Sequence, residues 1–144
     1  VRLSTSLVVE RPVEEVFRFL SNRENDPKWE SQTVEVQKTS EGPIGAGTTW
    51  RQVTRILGQD MVGEIVFAEY KENEKITTKS RSGSIPVTAR MTFRPVPAGT
   101  LLEVAIEVEL GGLLGLAEPL AAAAFRRQLR SSFGNLKKLL ESPG

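Results

Sequence analysis

The spacing of hydrophobic and polar positions changes twice along the chain, and each change predicts a new element. Residues 1–10 alternate as a strand does. Pro12 then opens a stretch in which Val13, Val16, Phe17 and Leu20 recur at helical spacing, with Glu14 and Glu15 in the first turn, where the helix dipole favours negative charge. This predicts a short amphipathic helix. Ser21 to Trp29 is polar and broken by Asn25, Asp26 and Pro27, with room for one or two further helical turns. From Thr33 the period becomes two, predicting strands over about 33–39, 48–57, 61–70, 75–82, 85–94 and 100–110. The connections Leu57 to Asp60, Lys71 to Glu74 and Ser82 to Ser84 are long enough only for hairpins, so the sheet is expected to be an antiparallel meander. The last strand is the clearest: Leu102, Val104, Ile106, Val108 and Leu110 alternate with Glu103, Ala105, Glu107 and Glu109. Gly111, Gly112 and Gly115 then release the chain into a long helix over about 117–141. At 100° per residue, Ala122, Phe125, Leu129, Phe133, Leu136 and Leu140 share one face, and Arg126, Arg127, Arg130, Lys137 and Lys138 the other.

The hairpin turns imply a register. Lys75 is expected opposite Tyr70 and Ile76 opposite Glu69, which pairs Thr78 with Phe67 and Ser80 with Ile65. One sheet face then collects Trp50, Gln52, Thr54, Ile56, Met61, Ile65, Phe67, Ile76, Thr78, Ser80, Val87, Ala89, Met91, Phe93, Leu102, Val104 and Ile106. The other collects Arg51, Arg55, Glu64, Lys75, Lys79, Arg81, Arg90, Arg94, Glu103 and Glu107. The inner face carries a polar minority, Gln52, Thr54, Thr78 and Ser80. A buried hydroxyl or amide without a partner costs about 1–3 kcal/mol. These groups therefore bond to one another and to backbone, or they face a cavity. Gln128 and Ser132 flank the apolar helix face and can meet them, while Ala121 and Ala122 leave space. Few polar groups in an apolar hollow is how small-molecule pockets are lined. The candidate ligand-contacting set is Trp50, Gln52, Thr54, Ile65, Phe67, Thr78, Ser80, Ala89, Met91, Val104 and Ile106 from the sheet, with Ala122, Phe125, Leu129 and Ser132 from the helix.

At 144 residues, with 39% hydrophobic and 26% charged, the chain is expected to form one soluble domain. Its 19 basic and 18 acidic residues leave a net charge of +1, which gives no reason to expect nucleic acid or an anionic membrane as partner. Cysteine and histidine are absent. That removes disulfides, thiol nucleophiles, Cys/His zinc sites and imidazole general bases; no metal, cofactor or catalytic residue is assigned. The missing cysteine fits a cytoplasmic location. Leu110 to Phe125, the most apolar stretch, is interrupted by Glu118 and Pro119 and falls short of the roughly 20 apolar residues that span a bilayer. The N-terminus lacks the features of a signal peptide, and Val1 in place of Met points to an upstream trim. Charge is expected on the outer sheet face and the back of the helix, leaving an uncharged interior.

The segments Pro12 to Leu20, Asn25 to Trp29, Gly45-Ala46-Gly47-Thr48 and Phe133 to Glu141, in this order of elements, resemble the START-like (SRPBCC, helix-grip) superfamily, especially its polyketide cyclase/dehydrase-like small ligand-binding proteins. The resemblance spans nearly the whole chain. It implies an α+β helix-grip fold: a seven-stranded curved antiparallel sheet around a long C-terminal helix, two short helices after the first strand, and a ligand cavity between sheet and helix. In that frame Trp29 plugs an edge, and Gly45 and Gly47 allow a tight entry into a strand.

Other signals have plainer readings. Gly42 to Thr49 lacks the spacing and Lys-Ser/Thr ending of a phosphate loop and reads as a turn. Gly111 to Gly115 lacks the βαβ unit of a dinucleotide site. The basic stripe from Arg126 to Lys138 has no interleaved aromatics and reads as the solvated back of the helix. Glu64 and Arg81 are expected as an exposed cross-strand pair, although a one-residue slip would turn Glu64 inward. Three functions remain open. The first is binding of a small hydrophobic or amphipathic molecule, of lipid, polyketide or isoprenoid class, by a monomer or homodimer. The second is a polyketide cyclase or dehydratase, favoured by an inward Glu64 beside Arg51 or Tyr70. The third is a stress- or chaperone-linked interaction module, favoured by a filled cavity and an exposed apolar patch.

Overall fold

The structure, a computed structural model, describes residues 2–56, 58–82, 86–109 and 118–142. Side chains at Ile56, Ser82, Glu118, Pro119 and Ala121 lie outside that description, as do Leu57, the Gly83 turn, Leu110, the Gly111 to Gly115 segment and the end of the chain. Seven strands form one antiparallel sheet: β1 (Arg2–Val9), β2 (Thr33–Lys38), β3 (Thr49–Ile56), β4 (Gln59–Lys71), β5 (Lys75–Ser82), β6 (Val87–Val96) and β7 (Gly99–Val108). Their spatial order is β1-β7-β6-β5-β4-β3-β2, so the meander runs as its short turns require and β1 returns to pair with β7. Helix α1 (Val13–Ser21) and a 3₁₀ helix (Arg23–Lys28) follow β1, and α2 (Glu118–Glu141) ends the fold.

Helix α1 starts where Pro12 holds φ at −59° and its carbonyl accepts from the N–H groups of Glu15 and Val16. Val13, Val16, Phe17 and Leu20 are buried, the face that the helical spacing predicts. The helix stops at Asn22, whose side chain accepts from the Glu24 N–H and starts the 3₁₀ helix.

The sheet register agrees with expectation except at two places in the β4–β5 pair, its turn and Glu64, which stands opposite Ser82 and not Arg81. Lys71 pairs with Lys75, Tyr70 with Ile76 and Glu69 with Thr77, one position away from the expected register. A bulge between Phe67 and Glu69 absorbs the extra residue, so Phe67 still faces Thr78 and Ile65 faces Ser80. The bulge turns Tyr70 inward, where its ring packs edge-on against Phe17 with centroids 5.3 Å apart. A second shift beside Glu64 leaves that carboxylate on the outer face, 3.3 Å from Arg81.

The dry core occupies one end of the sheet. Phe17, Phe93 and Leu102 meet there, with Trp50, Phe67, Phe133 and Leu136 closing the interior. Along α2, Phe133 and Leu136 are buried, whereas Ala122, Phe125 and Leu129 are only half-buried. The second half of the helix is gripped, and the first half stands over a hollow. The grip is polar as well as apolar. Arg11 Nε donates to the Leu140 carbonyl at 2.8 Å and Nη2 to the Glu141 carbonyl at 3.1 Å, satisfying helix-end acceptors. Glu141 accepts from the Glu10 N–H at 2.8 Å. Lys137 departs from its expected place on the solvated back: its ammonium donates to the Val8 carbonyl at 2.7 Å and to Glu141 at 2.6 Å. Arg126, Arg127, Arg130 and Lys138 are exposed.

At the corner where β1 leaves for α1, β7 begins in close contact. Gly99 has φ +148°, and a Cβ there would stand 2.2 Å from the Val9 carbonyl oxygen. Thr100 Oγ1 donates to the Arg11 carbonyl at 2.8 Å beside it. Gly47, at φ +88°, sits in the turn before β3, where its N–H donates to the Phe67 carbonyl.

Candidate functional site

The hollow under α2 comprises a cavity of about 330 Å³ against the sheet and an adjoining one of about 200 Å³ toward the helix. The first falls within the roughly 300–1,000 Å³ usual for small-molecule sites. Gln52, Thr54, Ile106 and Phe125 line both. Ile65, Thr78, Ser80 and Ala89 line the larger, and Leu129 and Ser132 the smaller. The remaining candidates stand elsewhere. Trp50, Phe67 and Val104 are enclosed in the core, Met91 packs against that core, and Ala122 is half-buried outside both cavities.

The alternating strands explain which residues arrive at the wall. Thr54 pairs with Met61, Gln52 with Gly63, Thr78 with Ala89, and Ala89 with Ile106. The small Gly63 and Ala89 leave room where larger side chains would fill it.

The polar wall groups are not satisfied as a set. Thr78 Oγ1 accepts from Arg23 Nη1 at 3.3 Å, and Ser80 Oγ accepts from the Val87 N–H at 2.8 Å. Gln128 and Ser132 bond to each other, and Gln128 also to Ser31; neither meets the sheet's polar groups. The side chains of Gln52 and Thr54 have no hydrogen-bond partner among the described residues and face the cavities.

The interior is not uncharged, contrary to expectation. Arg23 and Glu30 line the larger cavity, and Glu30 also lines the smaller. Arg23 Nε lies 2.5 Å from Asp26 Oδ2, and their side chains are only 16% and 2% exposed. Burial pushes the Asp26 carboxyl up to about 7 against the pull of the adjacent guanidinium. The Trp29 indole N–H also favours the carboxylate, although it lies outside proper hydrogen-bond geometry. For Arg23, burial acts downward but the two carboxylates outweigh it; its proton is held more tightly than usual. Trp29 plugs the gap between the 3₁₀ helix and α2, its ring 4.9 Å from that of Phe133. In the sequence these charged residues are hidden because Ser21 to Trp29 looks like a polar connection; the signal that marks them is Arg23 and Asp26 three apart beside an aromatic residue.

The family of polyketide cyclase / dehydrase and lipid transport proteins matches residues 1–141. The chain belongs to this family. Among solved structures, the family member is similar to TTHA0849 of Thermus thermophilus, with a TM-score of 0.79 and 17% identity over 96% of this chain and 95% of that one. A START superfamily protein from Mycobacterium smegmatis gives 0.76 and 21% over 97% of both chains. The di-domain ARO/CYC BexL from the BE-7585A biosynthetic pathway gives 0.76 and 17%, over 100% of this chain and 51% of that one. At these identities the likeness is one of fold, and it is the helix-grip fold that the family resemblance implies. No curated protein matches the chain. Among the described residues, no helix of this polyketide cyclase/dehydrase-family protein is long and apolar enough to cross a membrane.

Proposed function

We propose that the chain binds a small hydrophobic or amphipathic molecule, of lipid, polyketide or isoprenoid class, between the sheet and α2. The observation that carries this reading is the hollow itself. Met61, Ile65, Val87, Ala89, Ile106 and Phe125 make much of its wall, with Gln52, Thr54, Thr78 and Ser80 as orienting groups. An apolar body gains about 25 cal/mol per Å² of surface withdrawn from water there. The family's description, which includes lipid transport, supports the reading. Native mass spectrometry of the purified protein, with titration by an apolar fluorescent dye, tests it. Retained ligand or saturable dye binding that is lost in Ala89→Phe is expected; a protein that takes up neither overturns the proposal.

A cyclase or dehydratase reading has one observation in its favour: Glu30 places a carboxylate in the wall of both cavities. Glu64, the acid considered from sequence, faces outward with Arg81. Turnover of an aromatic polyketide precursor that disappears in Glu30→Gln while binding persists would support this second reading. An interaction module calls for a filled interior, and the hollow argues against it.

A further inference from the structure

The hydrogen bonds already made along the cavity wall bear on what it selects; the inference rests on the hollow being a ligand site. Thr78 and Ser80 are two residues apart on β5, so both side chains project from one face. Each hydroxyl accepts a hydrogen bond from the protein, Thr78 from Arg23 and Ser80 from the Val87 N–H. Each keeps its own proton to donate. Arg23 commits Nε to Asp26 and Nη1 to Thr78, while Nη2 has no hydrogen-bond partner among the described residues. The wall therefore offers three donor groups, the two hydroxyls and the uncommitted N–H bonds of the guanidinium.

Donors beside an arginine would ordinarily welcome a carboxylate. Here the guanidinium is already opposed by Asp26 at 2.5 Å and by Glu30, which also acts on it. With both acids ionised, the group carries one negative charge in excess. A ligand carboxylate would enter the site against that excess, losing part of its hydration without finding a free positive charge. A neutral oxygen takes the same donors without that penalty.

We infer that the cavity selects hydrophobic ligands whose polar atom is an uncharged acceptor, a ketone, ester or amide carbonyl, and discriminates against the corresponding carboxylate. Arg23, Thr78 and Ser80 hold the oxygen, and Asp26 and Glu30 set the charge selectivity.

The test is a fluorescence titration of the whole chain at pH 8 with three probes of nearly one shape: 2-acetylnaphthalene, 2-ethylnaphthalene and 2-naphthoate. The ketone is expected to bind about tenfold more tightly than the hydrocarbon, and the carboxylate more weakly than either. Glu30→Gln, at a half-buried position, is expected to raise naphthoate affinity relative to ketone affinity about tenfold. Hydrocarbon and ketone binding alike, or naphthoate binding as well as the ketone, overturns the inference and leaves the binding proposal standing. Selectivity that Glu30→Gln does not alter overturns the assignment of charge discrimination. Failure of all three probes in a protein that takes up the apolar dye overturns the inference alone; failure in a protein that also takes up no dye and retains no ligand overturns both proposals.

Discussion

Arg23 and Asp26 form an ion pair 2.5 Å across, three positions apart on the 3₁₀ helix and almost wholly withdrawn from water. Burial raises the Asp26 carboxyl from 3.8 to about 7. Between those values the folded protein keeps a proton that the unfolded chain has released, so this group makes stability fall as pH rises from about 4 to 7, and level off above. Asp60, Glu69 and Glu141 are shifted downward, chiefly by hydrogen bonds from Arg55, Thr77 and Lys137. Their contributions are present above their ordinary values and lost as pH falls. Urea midpoints are therefore expected to be higher at pH 5 than at pH 7.5, and Asp26→Asn to remove that difference. A wild-type midpoint that rises over this interval contradicts the assignment.

Replacing Arg11 by Ala frees the C-terminal carbonyls of α2 that it holds. The expected loss is about 1–3 kcal/mol in denaturant unfolding, with hydrogen exchange accelerating first in the last turns of the helix. An unchanged midpoint would show that the clasp contributes nothing.

Gly99→Ala should be among the most damaging small substitutions. The new methyl would meet the Val9 carbonyl at 2.2 Å in a backbone conformation that L residues rarely adopt. A destabilisation of about 3 kcal/mol or more is expected by thermal unfolding. Gly45→Ala is the control: its Cβ would meet nothing within 4 Å, and a change below about 1 kcal/mol is expected.

Glu64 makes an exposed ion pair with Arg81. Glu64→Gln is expected to change stability by less than about 1 kcal/mol and probe affinity by less than about twofold. A large loss of either would place the carboxylate in the function after all.

Much of the fold is legible in the sequence because short turns lock the phase of each strand to the next. Trp50, Phe67, Leu102 and Val104 can be placed on one face by counting alone. The bulge at Ala68 cannot: nothing in the run Val66 to Glu69 distinguishes a strand that carries an extra residue, and counting consequently puts Tyr70 on the wrong side. The site was half legible. Gln52, Thr54, Thr78 and Ser80 stand out as polar interruptions of an apolar face. Where the apolar face ends in a dry core and where it borders a hollow depends on how α2 lies across the sheet, which periodicity does not encode. Arg23, Asp26 and Glu30 escape notice because charged residues are seldom buried, and only the three-dimensional partner reveals the exception.

The clasp between α2 and the start of the chain spans 129 to 131 residues of sequence. Neighbouring strands of the meander, by contrast, are joined by brief turns. Bringing such distant segments together carries a large loop-closure entropy, so hairpin formation is expected to precede docking of the terminal helix. In kinetic terms, Arg11→Ala then leaves the refolding rate almost unaltered and hastens unfolding, the signature of a contact made after the barrier has been crossed.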